Sequence, residues 1–101
     1  MNLNKGANFN LAMKPVTIQE RGAAKFTCAT VGKPEPEIAW YKDGIRIKAN
    51  NKYSMRNQYG VCTLTIYDCR ARDAGMYKCE ANNQVGRAIS EANLSVLPRL
   101  I

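Results

Sequence analysis

The run Asp73-Ala-Gly-Met-Tyr77-Lys-Cys79, together with Cys28 and Trp40, limits the chain to few folds. Trp40 follows Cys28 by twelve residues, and Tyr77 precedes Cys79 by two. In a short chain of alternating apolar and polar residues, this spacing is the pattern of two antiparallel sheets packed face to face. The expected class is therefore all-β.

Period-2 alternation between turn signals places the strands. Phe9–Pro15 reads as a first edge segment, where a proline is tolerated, and Val16–Gln19 reads as its continuation. Ala24, Phe26 and Cys28 alternate with Lys25 and Thr27, and Ile38 alternates with Trp40 on the next strand. Lys42-Asp-Gly44 is a hairpin turn, since Asp-Gly tolerates positive φ. A short strand is expected at Ile45–Lys48, then inward-facing Tyr53 and Met55. Cys62, Leu64 and Ile66 form one inward row, and Tyr77, Cys79 and Ala81 another. Ala92, Leu94 and Val96 complete the core, and Asp68–Gly75 is a crossover loop. No helix, repeat or low-complexity tract is evident.

A length of 101 residues is one domain, and 46% hydrophobic residues suffice for a core. No apolar run approaches the 18 or so residues of a membrane-spanning helix. Residues 1–8 lack an apolar stretch, so they read as a linker or chain end rather than a signal peptide. The domain is expected over 9–97, with 98–101 as a tail. The four cysteines do not read as two disulfides. Cys62 and Cys69 lie seven residues apart in near-extended chain, at about 3.3 Å per residue, beyond the roughly 7 Å Cα separation that a bridge allows. At most Cys28–Cys79 is expected to pair, as a disulfide or a close dithiol. Two leftover thiols suit a reducing compartment and read as small core hydrophobes, with redox regulation as the alternative.

The chain has no His, so neither a Ser-His-Asp nor a Cys-His arrangement can be built. Its eight acids fall in no paired-carboxylate pattern, and no glycine-rich phosphate loop is present. No cysteine spacing suggests a metal site. An enzyme is not expected, nor a cofactor. The net charge of +7 instead favours an acidic partner. Lys42, Arg46, Lys48, Lys52 and Arg56 fall in one stretch with only Asp43 opposing, and Arg70 and Arg72 are expected near the same end. This stretch reads as a docking patch or as a solvated face, with Lys52 engaged by Asp73. Nucleic-acid binding is not expected, because exposed aromatics are few.

Gly32-Lys-Pro-x-Pro36, Trp40-Tyr-Lys-Asp-Gly44, Leu64-Thr-Ile66, Asp73-Ala-Gly-x-Tyr77-x-Cys79 and Ala81-Asn-Asn-x-x-Gly86 resemble the intermediate (I-set) immunoglobulin domain. The resemblance implies a β-sandwich of two antiparallel sheets with Greek-key connections. Cys28, Trp40, Leu64, Asp73, Tyr77 and Cys79 would be its structural core, with the two cysteines meeting under the indole. Within this set the chain resembles modules of titin-, twitchin-, obscurin- and palladin-like muscle and cytoskeletal proteins. That implies a non-catalytic scaffold module, cytoplasmic and monomeric in isolation, with neighbouring domains in a longer parent. Its partners would be sarcomeric proteins, F-actin among them through Lys42–Arg56. The alternative is an extracellular adhesion or receptor domain, for which Asn93-Leu-Ser95 would be a glycosylation sequon.

Overall fold

The computed structural model describes residues 3–100. Residues 1 and 2 of the expected linker and residue 101 of the expected tail lie outside the described residues. The described residues form nine strands: β1 Lys5–Leu11, β2 Val16–Gln19, β3 Ala24–Lys33, β4 Glu37–Lys42, β5 Ile45–Arg46, β6 Tyr53–Gln58, β7 Val61–Ile66, β8 Gly75–Asn82 and β9 Arg87–Leu97. They make an all-β sandwich with one four-stranded sheet, β1-β3-β7-β6, and one five-stranded sheet, β2-β9-β8-β4-β5. The connection from β7 to β8 crosses between the sheets and holds a single 3-10 turn at Ala71–Asp73.

Alternation in the sequence sets what is buried. Along β3, Ala24, Phe26 and Cys28 are buried while Lys25 and Thr27 are exposed. Cys62, Leu64 and Ile66 of β7 and Tyr77, Cys79 and Ala81 of β8 form the matching inward rows. Trp40 stands opposite Cys79 across the β4–β8 ladder, and both are buried. Its Nε1 finds no acceptor among the described residues, so packing alone holds the ring. Phe26 and Tyr77 meet between the sheets with ring centroids 5.2 Å apart, within the range of favourable aromatic pairs.

Three local expectations differ from the structure. β1 begins at Lys5, so the expected linker boundary at residue 8 falls inside a strand, and Ala7 is buried there. Val16–Gln19 does not continue the first strand in its sheet. It crosses over and pairs in parallel with β9, Val16 opposite Leu94 and Ile18 opposite Val96. Pro15 has no N–H to extend the ladder, and the buried Met13 N–H donates to Ser90 Oγ on β9 at 2.9 Å, which draws the chain across. Third, the Ile45–Lys48 strand is cut to Ile45–Arg46. Ile47 N–H donates to the Trp40 carbonyl at 2.8 Å, turning its buried side chain into the core.

The corner before β8 is tied by hydrogen bonds. Tyr77 Oη donates to the Asp73 carbonyl at 2.7 Å in a buried setting. Burial pushes the Tyr77 phenol well above its ordinary range, so it remains a donor. Replacing Tyr77 by Phe keeps the ring but leaves that carbonyl unmatched, at a cost of about 1–3 kcal/mol. Urea denaturation of Tyr77→Phe is expected to show a lower midpoint with an unchanged slope; an unchanged midpoint would remove the corner bond from the fold's support.

Candidate interaction surfaces

The structure distributes the five basic residues of the Lys42–Arg56 stretch over three places. Lys42, Arg46 and Lys48 line one shallow cleft of about 410 Å³ on the β4–β5 edge, together with Ile45, Asn50 and Tyr53. Lys52 is engaged elsewhere: its Nζ lies 2.6 Å from Asp73 Oδ2 and 2.9 Å from the Asp68 carbonyl. Arg56 stands on β6, in the other sheet, and lines a different trough. The cations are thus contiguous in sequence but not in space. The chain changes sheets between β5 and β6, and alternation turns Arg56 outward on the four-stranded side.

Within the edge cleft, Arg46 sits opposite Tyr41 in the β4–β5 ladder. Lys78 Nζ lies 4.7 Å from the centroid of the Tyr41 ring, a cation–π contact. Arg46 and Lys78 therefore flank one tyrosine. Arg70 does not join this group. It pairs with Asp68 at 2.9 Å, which holds the Asp68 carboxyl below its ordinary range and raises the guanidinium.

Asp43 fixes the turn that carries the cleft. Its Oδ1 accepts from Met76 N–H at 3.0 Å, and its own N–H donates to the Met76 carbonyl at 2.9 Å. Lys42 Nζ lies 3.1 Å from Oδ2. The Met76 N–H, followed by Lys42, holds the Asp43 carboxyl below its ordinary 3.8. Gly75 allows this close approach. It sits at φ 151°, and a Cβ there would meet Asp43 Oδ2 at 2.7 Å.

Because folding lowers the Asp43 pKa, its contribution is complete above the unfolded value and is lost as pH falls through the lowered folded value. Asp43→Asn keeps an acceptor for Met76 but has no charge to titrate. Its melting temperature is expected to lie below wild type at neutral pH, with the gap closing in acid below 3.8. A gap independent of pH, measured by thermal denaturation across the acid range, would exclude the charge as its origin.

The four cysteines are buried free thiols. Cys28 and Cys62 are direct partners in the β3–β7 ladder, and Cys79 reaches both from the facing sheet. The contact with Cys62, aided by burial, pushes Cys28 up to about 12. Contacts with Cys28 and Cys62, and burial, likewise push Cys79 up. Cys62 thus joins the expected Cys28–Cys79 pair, a neighbour missed by testing it only against Cys69. The register was the available signal: Phe26 opposite Leu64 puts Cys28 opposite Cys62. Cys69 stays apart, with its Sγ 3.5 Å from the Ile66 carbonyl. No group of three or more His, Cys, Asp or Glu among the described residues could hold a metal ion. No helix among them is long and apolar enough to cross a membrane.

The model of the immunoglobulin I-set domain family matches residues 7–96, and the chain belongs to that family. Muscle proteins are among its relatives. It is 33% identical over 84% of its length to the muscle M-line assembly protein unc-89 of Caenorhabditis elegans, of which it spans 1%. It is 38% identical over 73% of its length to fast-type myosin-binding protein C of Homo sapiens, of which it spans 6%. A structure of titin M4 superposes with a TM-score of 0.92 and 29% identity, covering 94% of this chain and 99% of that one. A complex of titin M10 with an obscurin-like 1 Ig domain gives 0.92 and 27%, covering 96% and 99%. The fold is the non-catalytic one of titin-like structural proteins. Where a relative is a kinase, as with smooth-muscle myosin light chain kinase of Gallus gallus, the chain corresponds to 5% of it.

Proposed function

We propose that this chain is a non-catalytic module of a sarcomeric or cytoskeletal scaffold that docks an acidic protein surface, F-actin foremost, through the β4–β5 edge. The observation that carries this reading is the meeting of Lys42, Arg46 and Lys48 around one cleft, with Asp43 as the acid of that rim. Lys52 supports the fold beneath it through Asp73. The muscle relatives support a cytoplasmic setting, and the titin M10 complex supports an I-set surface as a protein-docking element. Capture by exposed cations weakens as salt shortens the screening length from about 10 Å.

Co-sedimentation with F-actin tests the reading. Wild type is expected to pellet with filaments at low salt, and Arg46→Glu with Lys48→Glu to remain in the supernatant. Equal pelleting of both, or no pelleting of wild type, would reject actin docking at this edge.

The extracellular alternative rests on one observation. Asn93 is exposed on β9, and its Nδ2 lies 3.3 Å from Ser95 Oγ within the sequon. Mass spectrometry of the native protein, with thiols trapped before lysis, separates the two settings. The scaffold reading expects four free thiols and an unmodified Asn93. A bridge among Cys28, Cys62 and Cys79 together with a glycan on Asn93 would place the domain outside the cell.

A further inference from the structure

The two outer faces of the sandwich differ in charge. Of the eight acids, Glu37, Glu80 and Glu91 stand on the five-stranded sheet, and the other five are in turns and connections. None of β1, β3, β6 or β7 carries Asp or Glu, while Lys5, Lys25, Lys33 and Arg56 lie on them. The register arranges the outer face in rows. Lys25, Thr65 and Ser54 lie side by side, as do Thr27, Thr63 and Arg56 in the next row, and Ala29, Val61 and Gln58 in the one after. A trough of about 610 Å³ runs over these rows, with Tyr59 and Tyr67 among its lining. Neither Lys25 nor Arg56 forms an ion pair with a carboxylate among the described residues.

Tyr59 is out of place for the fold alone. It is 95% exposed at the tip of the β6–β7 hairpin and sits at φ 53°. A bulky side chain is uncommon in that region, and a two-residue turn of this kind favours Asn, Asp or Gly. The tip is also fixed: Gly60 accepts from Thr30 N–H at 2.8 Å, and a Cβ on Gly60 would meet the Thr30 carbonyl at 2.8 Å. The ring is therefore presented from a rigid support, in a conformation its residue type resists. Backbone strain of this sort is a pointer to a binding role.

We infer that this trough binds an extended acidic peptide segment of a partner protein. The dimensions suit it. The six residues of β7 span about 20 Å, and Lys25 and Arg56 project from backbone positions about 12 Å apart, given strand spacing near 4.8 Å. In an extended segment, acids four positions apart face the same way about 13 Å apart. Such a segment sets one carboxylate on each cation. An apolar side chain midway rests over Thr63 and Thr65, and the segment's ends extend toward Tyr59 past the Arg56 row and Tyr67 past the Lys25 row. Two central cations are too few for a nucleic-acid strand, which brings a phosphate with every nucleotide and is held by a groove of positive charge that follows it. This face is separate from the β4–β5 edge, and either can fail without the other.

The test is a titration of the 15N-labelled chain with an end-capped eight-residue peptide carrying two Glu four positions apart and Leu midway. The largest amide shifts are expected at Ser54, Thr63 and Thr65. Lys25→Glu with Arg56→Glu should weaken binding at least tenfold. Arg87→Glu with Arg99→Glu makes the same change in net charge away from the trough and should alter it less than twofold. Tyr59→Asn relaxes the turn, so it should raise the melting temperature while weakening binding. Shifts centred on the β4–β5 edge would overturn the proposal. So would equal loss in both double variants, Tyr59→Asn binding as wild type does, or a single-stranded RNA octamer binding the same amides more tightly than the peptide.

Discussion

Asp73 holds together the parts of the fold that the surfaces depend on. Its carboxylate is nearly buried and takes the Lys52 ammonium at 2.6 Å and the Arg70 backbone N–H at 2.7 Å, while its carbonyl takes the Tyr77 hydroxyl. Lys52 leads into β6 of one sheet and Tyr77 belongs to β8 of the other, so a single residue ties the base of the sandwich across both layers. A buried carboxylate that loses its partner is costly, typically about 3–5 kcal/mol; Lys52 is partly solvated, which reduces the figure here. The consequence is directional. Lys52 cannot both close the corner and reach a partner, and its use in the fold removes it from any docking surface.

That assignment sorts the remaining charge. The five-stranded sheet mixes signs on its outer face, with Arg87 bonded to Glu80 at 2.8 Å and Lys78 drawn over Tyr41. The four-stranded sheet carries cations without acids. A face that satisfies its own charges gains little from a partner's, whereas Lys25 and Arg56 have no carboxylate partner among the described residues. The +7 net charge is thus unevenly placed, with cations gathered at the β4–β5 edge and on the four-stranded face.

Much of the architecture was legible because burial has period two. Phe26, Cys28, Leu64, Tyr77 and Leu94 declare their strands and inward faces through their neighbours, and Trp40 and Tyr77 set the spacing of the layers. What the sequence did not reveal depends on pairing between distant segments. The crossing of β2 to the second sheet is decided by Pro15 and the Met13–Ser90 bond, which joins residues 77 positions apart. The closeness of Cys28 and Cys62 follows from register, which no single strand specifies. The basic stretch was misleading for the same reason. Proximity along the chain joined Arg56 to Lys42, while the step between sheets separated them.

The thiol cluster shows what kind of stability this arrangement requires. Cys28, Cys62 and Cys79 are buried in the same core as Trp40, and a buried thiol packs as a small hydrophobe. Without a bridge the sandwich forgoes the roughly 2–4 kcal/mol that a disulfide of this size of loop contributes. The load moves onto close packing around the indole and onto the Asp73 corner, the two features that join one sheet to the other. Both lie inside or at the base of the sandwich. The outer faces are thereby left with little part in holding the fold, and it is on such a face that the strained conformation of Tyr59 can be kept for another purpose.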